Sequence, residues 1–388
     1  MEEDTAIRRV ETLVLGGGPA GAAVAIRLAA GGRPVELWER ELLAGNRNAG
    51  DFLGAAALAH LGDLGIDPAR LGAAPIERVR LLSGAGVADA RLGFRGYGLS
   101  RRLLDGALLE RAEQAGVLVR RGVEARAILP DGVAEAVRER VQATRLLLAT
   151  GRGQQAVAGP GPTRNATGAA GSAAAGGWCG FRWIFRLAPA ERAALAGHLE
   201  LALRPWGRVL LHPLERDGAS LSILVDERQW AVAGGGAEAL LRLLAEEPFL
   251  AGRLQGAVPL LDRPLAVAAG GQPFRARPDR SRRAIWELGD VAAMLPGLPG
   301  DGIGLALHGA CLASAAILTG ADQQQYGRRL QRDLAPLFRF APAAGLLARD
   351  PALQQRAAAA LLLLPVLARA AFAVTRLRGK AVRRARLS

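Results

Sequence analysis

One stretch near the start of the chain restricts its fold more than any other. Glu11 to Leu15 reads as a β-strand and Gly16-Gly17-Gly18-Pro19-Ala20-Gly21 as a tight turn. Ala22 to Ala30 reads as a helix closed by Gly31-Gly32, and Pro34 to Trp38 as a second strand ending at Glu39. Gly16 permits the turn, Gly18 lets the backbone approach a pyrophosphate, and Gly21 lets helix and strand pack closely. The helix N-terminus offers N–H groups to phosphates, and an acid at Glu39 suits a ribose hydroxyl. The spacing predicts a dinucleotide site; without a ligand, the same residues would make a bare βα turn.

Composition narrows the rest. With 388 residues, the chain is long enough for two to three units, and a hydrophobic content of 50% rules out wholesale disorder. Cys179 and Cys311 cannot build a disulfide framework or a thiolate zinc site. The scattered His60, His198, His212 and His308 suggest no metal, and the setting reads as cytoplasmic. The net charge of +14 invites a nucleic-acid partner, but Lys380 is the only lysine. That arginine bias beside abundant alanine reads as coding background, so no nucleic acid is expected. The acidic opening Met1-Glu2-Glu3-Asp4 is unlike a signal peptide. The longest apolar run, Ala357 to Ala368, falls short of the roughly 18–20 residues that span a bilayer.

Further along, Arg101 to Ala115 reads as a helix with Ser100 as N-cap, and Thr144 to Ala149 as a buried strand. Residues 152 to 177, rich in Gly, Ala, Pro and Ser, read as a linker. Beyond it, Phe181, Trp183 and Phe185 alternate with Arg182 and Arg186. Leu199–Leu203, Val209–His212 and Ser220–Val225 continue as strands, followed by one helix over Glu238–Leu254. Ala284 to Leu288 enters Gly289-Asp290, and Gly300-Asp301-Gly302-Ile303-Gly304 opens a helix over Leu305–Ile317. From about 322 onward the pattern is helical. A carboxylate at Asp290 could accept from a ribose or ribityl hydroxyl, and a glycine-rich helix start could face a flavin.

In this order, the GGGPAG turn with Glu39, the SRRLLD helix at Ser100, the LLLATG strand and ELGDVAAMLPGLPGDGIGLALHGA carry a family likeness. The chain resembles the FAD-dependent para-hydroxybenzoate hydroxylase superfamily, especially the branch of geranylgeranyl reductases, flavin-dependent halogenases and small monooxygenases. The resemblance implies an α/β fold: a Rossmann-type FAD-binding domain, an inserted antiparallel β-sheet substrate domain and a C-terminal helical segment. The boundaries implied place the FAD-binding domain at 1–75, 99–175 and 276–320. Substrate-domain strands fall at 76–98 and 176–275, and helices with a basic tail at 321–388. It further implies that Gly16, Gly18, Ala20, Gly21, Glu39, Arg40, Arg101, Gly289, Asp290, Gly300, Gly302 and Ile303 bind FAD, with NAD(P)H as a transient reductant.

Departures from the family pattern shape the functional reading. The reductase cysteine is Ala49 here, and the paired aromatics of the halogenase strand are replaced in Gly207-Arg208-Val209-Leu210-Leu211-His212-Pro213. The halogenase lysine has no counterpart, since Lys380 lies in the tail. The run Gly234-Gly235-Gly236-Ala237 lacks an acid-ended strand after it and makes no second nucleotide site. Pocket candidates are His212, Asp51, Trp183 and Phe274. Asp51 could instead cap a helix, and Trp183 could be core. The reading is an FAD-dependent monooxygenase using NAD(P)H and O2 on a hydrophobic, aromatic or prenylated small molecule. The alternative is a reductase of isoprenoid double bonds. The tail either packs as a helix with a frayed end or lays an apolar face and six basic residues on an anionic membrane.

Overall fold

The computed structural model describes residues 7–46, 50–83, 86–129, 131–137, 139–151, 178–268, 284–293, 301–350, 352–353, 356, 360 and 376–387. The chain starts with β1 (Ile7–Leu15), α1 (Pro19–Ala30) and β2 (Val35–Glu39). It then builds β3 (Phe52–Leu53), α2 (Ala55–Asp63), β4 (Ala74–Ser83) and β5 (Gly86–Gly98). Next come α3 (Arg101–Gln114), β6 (Leu118–Arg121), β7 (Ala127–Ile128), β8 (Val133–Glu135) and β9 (Arg140–Leu148). A second excursion holds β10 (Trp178–Arg186), α4 (Pro189–Leu195), β11 (Gly197–Arg204), β12 (Gly207–Pro213) and β13 (Gly218–Asp226). It continues through α5 (Glu227–Val232), α6 (Gly236–Ala245), α7 (Pro248–Leu254), β14 (Val258–Pro259) and β15 (Leu265–Ala268). Last come β16 (Ile285–Glu287), a 3₁₀ turn (Gly289–Val291), α8 (Gly302–Leu318), α9 (Gln323–Arg349) and α10 (Gly379–Leu387).

These strands form two sheets. The first runs β6-β2-β1-β9-β8-β7, with β16 also on β9; β6, β2, β1, β9 and β16 are parallel, whereas β8 and β7 turn back antiparallel. A parallel strand covered on both faces reads as a continuous apolar run, and every residue of β2 is buried. One face packs Val14, Leu37 and Leu147 beneath α1, α3 and α8. The other packs Leu13, Leu15 and Trp38 against Ala125, Ile128 and Ala134 around β7 and β8. Pro19 suits the first turn of α1, where its missing N–H costs nothing, and Gly32 with φ +76° ends the helix.

The second sheet runs β14-β10-β13-β12-β11-β4-β5-β3, with β15 also on β10. All its pairs are antiparallel except β11 with β4. Alternation sends Phe181, Trp183, Phe185, Val209, Leu211, Leu221 and Ile223 to one face, beneath α4, α6 and α7. Phe52, Ile76, Leu199, Leu201 and Leu210 gather on the other.

Three expectations change. The helix expected over 238–254 is two helices, because Pro248 has no N–H to continue the first and instead opens α7. Phe52–Leu53 joins the second sheet as a short strand on β5. The tail is docked rather than frayed: Ala381, Val382 and Ala385 of α10 are buried, Arg386 pairs with Asp63 and Arg384 with Asp333. Arg378, Lys380 and Arg383 remain exposed. The linker at 152–177 and nearly all of Ala357–Val374 lie outside the described residues, as do Phe274 and Gly300. Among the described residues, no helix is long and apolar enough to cross a membrane.

Candidate active site

At Gly16 and Gly21 the glycine turn is built by backbone contacts that admit nothing larger. A Cβ on Gly16, whose φ is +102°, would sit 2.5 Å from the Ala149 carbonyl oxygen, and one on Gly21 would sit 1.9 Å from that of Gly16. At Gly18, the N-cap of α1, the surroundings are open: among the described residues, and apart from its own helix and chain neighbours, only a guanidinium nitrogen of Arg101 comes within 4 Å of a Cβ there, at 3.4 Å. A helix N-terminus, an open backbone and a cation thus converge at one point, the arrangement that a pyrophosphate requires. Glu39, at the end of β2, turns its carboxylate onto the same turn and accepts the Gly17 N–H at 2.7 Å.

Arg101 arrives from the second sheet. β5 ends at Gly98, where a Cβ would fall 1.8 Å from the Pro213 carbonyl oxygen, so β5 can pass the end of β12 only as glycine. Ser100 then caps α3, its hydroxyl accepting from Leu103 N–H at 3.4 Å. Arg101 grips Asp105 with two hydrogen bonds of 2.8 Å. Burial works against its charge, but Asp105, Asp51 and Asp290 outweigh that and hold its pKa above the ordinary value. Asp290 is half-buried in the 3₁₀ turn and adds to this field. Gly289 before it has φ +59°, and a Cβ there would stand 3.1 Å from the Ala20 side chain, so this turn abuts the start of α1. Among the described residues, nothing comes within 4 Å of a Cβ on Gly302 at the start of α8, and Ile303 lies 3.4 Å from where a Cβ on Gly50 would stand. Arg40 is half-exposed and pairs with Glu41.

Asp51 is the hub between the two sheets. One carboxylate oxygen accepts the Arg101 backbone N–H at 3.2 Å. The other accepts from Ser220 Oγ at 2.7 Å and from Arg182, which is 1% exposed. Asp51 therefore supports the N-terminus of α3, whereas α2 has Gly54 at its N-cap. His212 is buried beside it, with Nδ1 3.1 Å from the Pro213 carbonyl oxygen and its ring edge-on to Phe52. A carbonyl only accepts, so Nδ1 carries the proton and Nε2 is the acceptor. Burial lowers the His212 pKa, helped by Arg182, against the opposing pull of Asp51 and the Pro213 carbonyl, so the ring is neutral.

Of the two readings of Trp183, core and pocket, the structure shows the core one and removes Trp183 from the pocket candidates. Strand parity turns it with Phe181 and Phe185 into the core beneath α6 and α7, where its indole N–H donates to the Leu261 carbonyl at 2.8 Å, while Arg182 takes the Asp51 face. Sequence reasoning also missed Asp301 and Arg376. Asp301 is 4% exposed, and one oxygen accepts the Leu377 N–H at 2.9 Å. Its other oxygen is buried without a hydrogen bond, and burial pushes its pKa up to about 6 against the opposing pull of Arg376 and that N–H. Arg376, read as tail, is buried, with its guanidinium 5.0 Å and 5.4 Å from the ring centres of Phe52 and Phe94.

No protein-family model and no curated protein sequence matches the chain. Solved structures do. A flavoprotein/dehydrogenase from Cytophaga hutchinsonii aligns with TM-score 0.71 at 15% identity, over 89% of this chain and 87% of that one. The myxobacterial chondrochloren halogenase CndH, an FAD-dependent halogenase, aligns with TM-score 0.69 at 18% identity, over 97% and 96%. A 2-methyl-3-hydroxypyridine-5-carboxylic acid oxygenase aligns with TM-score 0.63 at 20% identity, over 89% and 93%. The chain has the FAD-flavoenzyme fold. That is the architecture implied by its motifs, and the likeness is one of fold.

Proposed function

We propose that the chain is an FAD-dependent monooxygenase that hydroxylates a hydrophobic aromatic or prenylated small molecule, with NAD(P)H as reductant. The residues fit the cofactor. The open backbone at Gly18 and the Arg101 guanidinium would hold the pyrophosphate, and Glu39 has lone pairs to accept a ribose hydroxyl. Asp290 would take the ribityl chain, and the open start of α8 at Gly302 would face the ring. When bound, FAD supplies two-electron redox chemistry with NAD(P)H and O2.

One observation favours oxygen transfer over double-bond reduction. Reduction needs a proton donor beside the substrate. Both Asp51 oxygens already accept hydrogen bonds, and the His212 proton sits on the nitrogen turned to Pro213. What the Asp51–His212 corner offers is an acceptor, His212 Nε2, suited to taking the proton of a phenol as its ring becomes electron-rich. The buried Arg182–Asp51–Ser220 group fixes this corner without entering the chemistry. Lys380, exposed on α10, is poorly placed to serve halogenation.

The deciding experiment supplies purified flavin-loaded protein with NADH or NADPH, labelled O2 and a panel of alkylated phenols and polyprenyl compounds. A hydroxylated product carrying the label is expected. Anaerobic saturation of a double bond, with no label incorporated, would overturn the reading in favour of the reductase.

A further inference from the structure

The face of the second sheet opposite its helices carries an arginine that the site described above does not use. Pairing sets its rows: Arg208 lies beside Leu224 and Gly180, Leu210 beside Ser222 and Arg182, and His212 beside Ser220 and Ile184. Arg208, Leu210 and His212 point to one side of β12 because strand side chains alternate, and Val209 and Leu211 enter the opposite core. Leu203 is the β11 partner of Arg208. From Arg208 to His212 is four residues, about 13 Å at roughly 3.3 Å per residue.

Arg208, half-buried on this face, differs from the buried arginines in and beside the sheet. Arg182 has Asp51, Arg204 has Glu247, and Arg253 has Glu200 and Glu191. Among the described residues, Arg208 has no carboxylate. Its Nε is buried without a hydrogen-bond partner, and its guanidinium stacks on Trp178 at 5.4 Å. Nothing offsets burial, which pushes its pKa down to about 10. A buried, unsatisfied N–H is costly, and a guanidinium is a fork matched to a planar oxyanion. Its neighbours Leu203, Leu210 and Leu224 are only half-buried, so an apolar strip leads from it toward His212, with Ser222 beside it.

We propose that Arg208 binds the carboxylate of an amphipathic substrate whose apolar body runs past Leu210 and Leu224 toward His212 and Asp51. The inference rests on the flavoenzyme reading and narrows its substrate to an acid with an apolar tail.

The test uses flavin-loaded protein and two probes, 4-hexylbenzoate and its methyl ester, with dissociation constants from titration calorimetry. The native protein should bind the acid at least about tenfold more tightly than the ester, a normal span for a hydrogen bond to a charged group. Arg208→Met should erase that preference while keeping the ester affinity, and Arg208→Lys should keep part of it. If Arg208→Met does not fold, Arg208→Gln is read the same way. Equal binding of acid and ester by the native protein, or no binding of the acid, overturns the proposal, as does an undiminished preference in the variant. NADPH, whose phosphates share this chemistry, is titrated in parallel. A tenfold loss of NADPH affinity with the acid preference intact would assign Arg208 to the nucleotide and overturn the proposal. Flavin absorbance is recorded on the same samples. Loss of flavin by the native protein would count against the flavoenzyme reading and leave the acid-to-ester ratio readable.

Discussion

Between Gly16 and Glu39, backbone and glycine make a site from consecutive residues, whereas the corner around Asp51 is made of side chains brought from residues 51, 101, 182, 212 and 220. The first is fixed by what is missing, a Cβ at each of three positions. The second is fixed by charge balance in a dry place. The contrast teaches where each is vulnerable. The turn fails by steric intrusion, and the corner fails when one partner is removed and a buried cation loses its acid.

Glycine substitutions separate fold from binding within the turn. Gly21→Ala puts a methyl 1.9 Å from the Gly16 carbonyl oxygen and should cost more than about 4 kcal/mol in chemical denaturation, or prevent folding outright. Among the described residues, Gly18→Val meets only the Arg101 guanidinium, so its unfolding midpoint should stay near that of the native protein while flavin absorbance disappears. Full flavin retention would show that the space beside Gly18 is not the phosphate site.

At the corner, Asp51→Ala should destabilise by about 3–5 kcal/mol, because Arg182 keeps its charge and loses that carboxylate. Asp51→Leu combined with Arg182→Met should recover most of this, measured as a double-mutant cycle. Additive losses would show that the pair is not coupled.

Asp301 gives the comparison a pH axis. Its folded pKa of about 6 exceeds the ordinary 3.8, so the folded state holds the proton more tightly than the unfolded one. Its contribution is complete below about pH 4 and is lost as pH rises through 6, about 3 kcal/mol in all. Asp301→Asn should remove that decline, seen as a native-minus-variant difference in unfolding free energy between pH 4 and 7. A difference that stays flat would refute it.

The smallest effect is expected at Arg101→Ala, a weakening of FAD binding by about 1.5–3 kcal/mol measured by fluorescence titration. Unchanged affinity with lost turnover would move Arg101 from holding the cofactor to the chemistry.

How legible each region was follows from the same contrast. The βαβ unit could be read because its periodicities and its glycines are neighbours in sequence, and so could Ser100 as the cap of α3. The alternation of Phe181, Trp183 and Phe185 with Arg182 was also plain. Which face met the site was not, since it depends on β10 pairing with β13, and this left Trp183 open between core and pocket. Asp51 and Arg182 are brought together only by the sheet register. Arg376 looked like tail charge because nothing local shows that it stacks between Phe52 and Phe94. Pro248 was visible and undervalued: it divides a helical run that composition alone continues.

The chain passes between its two sheets four times, and this governs how the molecule is made. Leu13 must find Leu146, and Leu146 in turn Ile285, before the middle of the first sheet exists; Leu199 must likewise find Val79. Each closure spans well over a hundred residues of intervening chain, whose entropy is lost before the contacts repay it. Neither sheet is a contiguous stretch that could be cut out and folded alone. Assembly is therefore slow and collective, and a partly made molecule leaves strand edges open to other chains until the late pairings close them.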